Sequence, residues 1–472
     1  MPIHPAGRDP RTAPASDPRR GPRRPAPSRR TLLGAGLLGG AIPLLSGCFG
    51  LGDTDGLVLE QPAGDVPEKY RDRRRVVIWS AYTAHNAEVI QANLDAFHEA
   101  QDDIFAEVQI FDSYDGVESK LAASMQARQV PDIAVFSDVV WNRFYLAEAL
   151  EPLGGYFDAD FGTDSFDERF LKEGTVKDEI WWLPFGRSTP LFYYNREIFE
   201  AAGLPDRAPE TFSEYRDWGK AVGEIEYKGK KVPMRAYVGG DDWYFQGSIW
   251  AFGGAYSDGL DMRLTTDASI AALEYDRAFI HDDGSGYLAA DATGDFSSGA
   301  CATAMQSTGS LSGIKEAATF DFGCGFLPRE KDAGVPTGGG GLSILRYASA
   351  ERKQAAWEVI KFLSTGQRTI DWTLGSGYVP CTKDAIESDE VAKLAAQDPR
   401  YKVALDQLEI SREPDIVRRY VPETLVEAKN AIQSVYSAGE SAEKVLTRME
   451  KELEPAIDRV REKFERRVGT DT

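Results

Sequence analysis

The sequence predicts an α/β fold in two lobes, and three observations carry that expectation. From residue 76 onward, short apolar runs of strand length alternate with segments of helical period, the rhythm of a parallel sheet with helical crossovers. That rhythm is interrupted at Leu183-Pro184-Phe185-Gly186 and at the glycine run from Gly338 to Gly341, and it resumes after each as if on a new body. A chain of 472 residues, even without a leader, exceeds one comfortable core.

The first strand is Val76-Val77-Ile78-Trp79, short and apolar enough to be buried. A helix over 87–100 places Val89, Ile90, Leu94 and Phe97 at helical spacing, and residues 108–111 read as a second strand. A helix over 117–128 follows, with Leu121, Ser124 and Met125 on one stripe, before Pro131-Asp132 leads into a strand at 133–136. Ligands of such sheets collect beyond the carboxyl ends of the strands. Pro184 fixes the backbone and Gly186 frees it, so this interruption, like the glycine run, marks chain that crosses between lobes or lines a cleft. The tail is helical: Val417, Val421, Leu425, Ala428, Ile432 and Val435 form one stripe. Leu446, Met449, Leu453, Ala456, Val460 and Phe464 form another, which Pro455 is expected to bend.

Residues 1–47 read as an address label. Arg29 and Arg30 precede an uncharged stretch over 32–47, the pattern of a twin-arginine export signal. That stretch falls short of the about 20 apolar residues that span a bilayer. Leu45-Ser46-Gly47-Cys48 resembles the lipobox of bacterial lipoproteins, in which the cysteine, here Cys48, is lipidated. Residues 48–73 then form a flexible tether, and the working part lies outside the cytoplasm, held at the outer face of the cell membrane.

Charge and composition exclude other classes. The leader carries eight Arg and two Asp, so its removal takes the net charge from −21 to −27. Such a body repels nucleic-acid phosphates and has no basic face for anionic lipid. Cys301, Cys324 and Cys381 remain after Cys48; a Cys301–Cys324 pair and three free thiols are both open. His85, His98 and His281 stand apart without metal-ligand spacing, and no cofactor motif is present.

The run from Trp181 to Glu197, Trp-Trp-Leu-Pro-Phe-Gly-Arg-Ser-Thr-Pro-Leu-Phe-Tyr-Tyr-Asn-Arg-Glu, is followed by Phe199-Glu200-Ala201-Ala202-Gly203-Leu204. Pro209-Glu210-Thr211-Phe212, Phe252-Gly253-Gly254-Ala255, the segment from Phe296 to Met305, Phe326-Leu327-Pro328 and Ser376-Gly377-Tyr378-Val379-Pro380 come next in order. Together they resemble extracellular solute-binding lipoproteins of ABC importers, family 1, the branch that binds carbohydrates and glycerol 3-phosphate. The resemblance implies a type II periplasmic-binding-protein-like fold, with the ligand cleft between lobes joined by hinge strands. By analogy, 74–184 and 344–377 build the first lobe, and 185–343 and 378–472 the second.

Sugars and polyols call for aromatic rings to stack on and fixed donors and acceptors at their edges. Tyr114, between a strand and a helix, matches a ligand-facing tyrosine of the family; a surface-loop role is the alternative. Asp138 follows the strand at 133–136 and suits a pair of hydroxyls, or an N-cap. Trp79, Ser80 and Tyr82 are candidates by position at the end of the first strand, with simple core the alternative for Trp79. Arg187 and Ser188 lie just past the hinge; an interlobe ion pair is the other reading of Arg187. Asp242 and Trp243 open a helix where family members often stack the solute on an aromatic ring. Thr308 and Ser310, around Gly309, offer hydroxyls and amides at a helix start or merely cap it. Gly339 and Gly340 let backbone amides approach a ligand, or form a flexible loop. The resemblance assigns Tyr378 to the ligand and Arg412, with departed spacing, to a phosphate.

The function these readings imply is capture of a sugar, oligosaccharide or polyol-like solute by a monomer, and its delivery to permease subunits in the membrane. A glycerol-3-phosphate or glycerophosphodiester binder is the alternative within that class, and a ligand-sensing receptor partner shares the same clamp. A secreted glycoside hydrolase needs two facing carboxylates roughly 5–10 Å apart. Asp241 and Asp242 are adjacent and diverge, and no Gly-x-Ser-x-Gly elbow occurs, so no enzyme is expected.

Overall fold

The computed structural model of the chain describes residues 56–469. The export signal with Arg29 and Arg30, and the lipobox cysteine Cys48, lie outside the described residues.

Among the described residues, two five-stranded sheets organise the body, one in each lobe. Strands β1 (Arg74–Ser80), β2 (Ile104–Ile110), β3 (Ile133–Ser137), β4 (Leu183–Ser188) and β10 (Gly338–Ile344) build the first, in the order β2-β1-β3-β10-β4. β1 runs parallel to β2 and β3, with Ile78 opposite both Val108 and Ile133, whereas β10 is antiparallel to β3 and β4. Val76, Val77, Ile78 and Trp79 are all buried, because helices cover both faces of a parallel sheet and leave no polar side.

β5 (Pro190–Asn195), β6 (Arg235–Val238), β7 (Gly286–Ala289), β8 (Thr303–Ser307) and β9 (Phe322–Gly325) build the second sheet, in the order β7-β6-β8-β5-β9. β4 ends at Ser188 and β5 starts at Pro190, so Thr189 alone, fully buried, joins the two sheets. The chain returns through β10 into the first sheet and passes again near Val379, whose N–H donates to Arg187 O at 2.9 Å. The α/β expectation holds in both lobes.

Helix starts follow side-chain chemistry. Ser113 caps Tyr114–Gln126, Asp241 caps Asp242–Ala251 and Ser349 caps Ala350–Leu363, each accepting from a first-turn N–H; such caps are worth about 1 kcal/mol. Gly377, at φ 82°, ends Gly366–Ser376 in the left-handed region and turns the chain into Tyr378.

Several expectations shift. β2 starts at Ile104, four residues early, because Ile104, Phe105 and Ala106 carry the burial while its far end is half-exposed. The tail stripe splits into Ile416–Tyr420 and Glu423–Ala438 around Pro422, and Ala442–Arg467 continues through Pro455. The tether ends sooner than residue 73. Leu59 is buried and its N–H donates to Tyr347 O at 2.9 Å, and Gln61 Nε2 donates to Asp132 Oδ2 at 2.6 Å. No Cys301–Cys324 disulfide exists: Cys301, Cys324 and Cys381 are free thiols. Cys324 lies in β9 and Cys301 just before β8, and β5 runs between those strands. Two strand spacings of about 4.8 Å exceed the reach of a disulfide.

Candidate functional site

Three tyrosines meet where β1 and β4 end and β10 begins, at the boundary between the lobes. Tyr82 follows β1, Tyr114 opens Tyr114–Gln126, and Tyr378 follows Gly377. The Tyr82 ring lies 6.4 Å from Tyr114, 5.6 Å from Tyr378 and 4.9 Å from Trp372, which stacks on Tyr378. Glycines in two strands make room for them. A Cβ on Gly186 would stand 2.5 Å from the Tyr82 hydroxyl, and one on Gly340 2.7 Å from that of Tyr114. The Tyr82 and Tyr114 hydroxyls are buried and form no hydrogen bond of good geometry. Burial pushes both phenols well above their ordinary range, so each stays a neutral donor.

Beside them lies a row of buried charges. Asp138 follows β3 and donates its N–H to Gly339 O at 3.3 Å. It does not cap a helix, since the next begins at Trp141 after Val140. Asp138 Oδ2 is buried without a hydrogen bond, 3.9 Å from Arg187 Nη2. Arg187, fully buried in β4, donates Nη2 to Glu173 and leaves Nε and Nη1 unpartnered. Burial raises the Asp138 carboxyl against the pull of Arg187 and Arg418. Burial likewise pushes Glu173 up to about 8, opposed by Arg187 and helped by Asp138 and Glu413.

The second lobe supplies the opposite wall. Asp242 Oδ2 accepts from Arg418 Nε at 2.9 Å and Nη2 at 2.6 Å, and Arg418 Nη1 is buried and unpartnered. Trp243 packs against Gly338 and donates Nε1 to Thr337 O at 2.9 Å. Ser188 pairs with Gly338 across the β4–β10 ladder. Thr308 donates its N–H to Thr189 O at 3.0 Å, but its buried hydroxyl has no partner. The Tyr378 ring faces Gly309, whose carbonyl accepts from Asn86 Nδ2 at 3.4 Å across the lobe boundary. Lys429 and Asp115 close the same boundary with an ion pair.

The structure thus brings Tyr82, Tyr114, Asp138, Arg187, Ser188, Asp242, Trp243, Thr308, Gly339, Gly340 and Tyr378 close together along the lobe boundary. Others stand apart. Trp79 is core, its Nε1 donating to Gln109 Oε1 at 2.9 Å, and Ser80 Oγ accepts from Tyr82 N–H at 3.1 Å within a local turn. Ser310 is half-buried at the start of Leu311–Ala317 without a side-chain cap bond. Arg412 is exposed over the Trp250 ring at 4.3 Å, 3.6 Å from Asp332, and lines a separate cavity. Sequence reasoning missed Arg418 and Glu173. Arg418-Arg419 inside an otherwise apolar stripe was a legible signal for the first; nothing local marks the second.

Glu173 and Thr337 also border a cavity of about 830 Å³, walled further by Trp141, Phe170, Arg419 and Tyr420. Among the described residues no His, Cys, Asp and Glu cluster is arranged to hold a metal ion, and no helix is long and apolar enough to cross a membrane.

Comparison with known proteins places this geometry in a family. The model for bacterial extracellular solute-binding proteins matches residues 92–399. The crystal structure of UgpB from Mycobacterium tuberculosis in complex with glycerophosphocholine is 33% identical, covers 82% of this chain and 98% of its own, and superposes with a TM-score of 0.77. The sn-glycerol-3-phosphate-binding periplasmic protein UgpB of Pectobacterium atrosepticum is 26% identical over 385 residues, 74% of this chain and 80% of that protein. Maltose-bound MalE3 of T. maritima, at 21% identity and a TM-score of 0.70 over 80% of this chain and 98% of its own, shares the two-lobed fold.

Proposed function

Because the chain belongs to the bacterial extracellular solute-binding protein family, we propose that it captures a polyol-like solute bearing a phosphate in the slot between its lobes and passes it to an ABC importer. One observation carries this reading. At the lobe boundary the Thr308 hydroxyl, Asp138 Oδ2, Arg187 Nε and Nη1, and Arg418 Nη1 are buried without hydrogen-bond partners. Each such atom costs about 1–3 kcal/mol when left unpaired. A guest that supplies the missing partners would favour the arrangement in which these atoms are buried, which is the differential affinity a clamp requires.

Asp138 and the phenols suit vicinal hydroxyls, and the free guanidinium N–H groups suit phosphate oxygens. The similarity to glycerol-3-phosphate and glycerophosphocholine binders supports the same chemistry. A neutral oligosaccharide is the second reading, favoured by the Trp243 and Tyr378 rings beside the slot. In either case the chain binds and releases without turnover. Cys48 provides the lipid anchor, a point that mass spectrometry of the mature N-terminus decides.

Melting curves with glycerol 3-phosphate, glycerophosphocholine and maltose test the proposal. The phosphate esters are expected to raise the melting temperature and maltose is not. A rise with maltose alone favours the second reading, and no rise with any of them overturns the clamp.

A further inference from the structure

Arg187 stands between two carboxylates and hydrogen-bonds only one. Its Nη2 donates to Glu173, and the same atom is 3.9 Å from Asp138 Oδ2, beyond hydrogen-bond range. Thr337 fixes the arrangement by donating its hydroxyl to Glu173 Oε2 at 3.3 Å. The Trp182 and Phe170 rings lie 5.0 Å and 5.7 Å from the guanidinium carbon. Glu173 itself is the last residue of Glu168–Glu173, and Gly174 behind it has no room for a side chain against Trp182 O. The acid that holds Arg187 is thus set by the fold, and the other keeps its lone pairs.

We propose that Glu173 is a positioning residue for the solute site: by holding Arg187 it keeps Asp138 free to accept solute hydroxyls. The inference rests on the slot being the solute's seat. Without an acceptor at position 173, Arg187 Nη2 needs to move only about 1 Å to form a charge-assisted bond with Asp138. That bond would occupy the orphaned oxygen and make the solute compete with an internal cation. Glu413 and Arg419 also face Glu173, but neither stands between it and Arg187 in the hydrogen-bond network.

Calorimetric titration of full-length variants tests this, with whichever of glycerol 3-phosphate, glycerophosphocholine and maltose the wild-type chain binds most tightly. Glu173→Leu and Glu173→Met both remove the acceptor and are expected to weaken binding by about tenfold or more. Glu173→Gln keeps an acceptor and is expected to retain affinity within about threefold. Melting of the unliganded variants controls for folding, and a crystal structure of either apolar variant is expected to show Arg187 bonded to Asp138. Wild-type affinity in a folded Glu173→Leu or Glu173→Met chain overturns the proposal, provided Asp138→Asn loses binding. If Asp138→Asn also binds normally, the slot reading itself falls.

Discussion

A carboxylic acid pushed up to about 8 by burial, as Glu173 is, lowers stability as pH rises, because the unfolded chain ionises it while the folded chain keeps the proton. Its folded pKa lies above the unfolded one, so the folded state binds the extra proton. Stability from this group is full below the ordinary carboxylate range and declines as pH rises towards about 8. Glu173→Gln cannot ionise and removes that slope. The melting temperature of wild type relative to Glu173→Gln is therefore expected to fall between about pH 5 and pH 9; a constant difference across that range contradicts the assignment. At this scale the sequence offered Asp138 by its position after a strand and Tyr114, Trp243 and Tyr378 through the family resemblance, and the structure places all four along the lobe boundary. Glu173 was not legible, since its role depends on Arg187 arriving from a strand that the chain reaches only later. Arg412, assigned to a phosphate by resemblance, lines the cavity beside Trp141 and Tyr420, whereas Arg418 pairs with Asp242.

At the scale of elements, the sequence left the glycine run open between backbone that approaches a ligand and a flexible loop. It is a strand, not a loop, and its glycines admit the Tyr82, Tyr114 and Trp243 side chains from one side. Gly339 has φ 87°, the ladder shifts register between Gly340 and Gly341, and a side chain at Gly339 would collide with Gly186 O. Gly339→Ala combines a left-handed backbone with a backbone clash and is expected to cost at least about 2 kcal/mol in denaturant unfolding. Gly155→Ala, with open space around it, is the control and should stay within about 0.5 kcal/mol of wild type; equal effects contradict this account of β10. The parallel strands were readable because burial on both faces leaves continuous apolar runs. The break at Pro422 was not, since the apolar stripe continues across it and only backbone geometry interrupts the helix.

For the whole molecule, two sheets and two lobes follow from length and rhythm, but the closed arrangement does not. It depends on contacts between distant segments, such as Asn86 with Gly309 and Lys429 with Asp115. An exposed ion pair of the latter kind is worth at most about 1 kcal/mol, and it acts beside other contacts between the lobes, such as Tyr145 Oη donating to Arg467 O at 2.9 Å. A crystal structure of the full-length chain with glycerophosphocholine added examines this most directly. The guest should lie between the lobes with oxygens in hydrogen-bond range of Tyr114 Oη, Asp138 Oδ2 and Arg418 Nη1. A guest seated in the cavity beside Trp141 and Tyr420, with those three atoms still unpaired, would contradict the account.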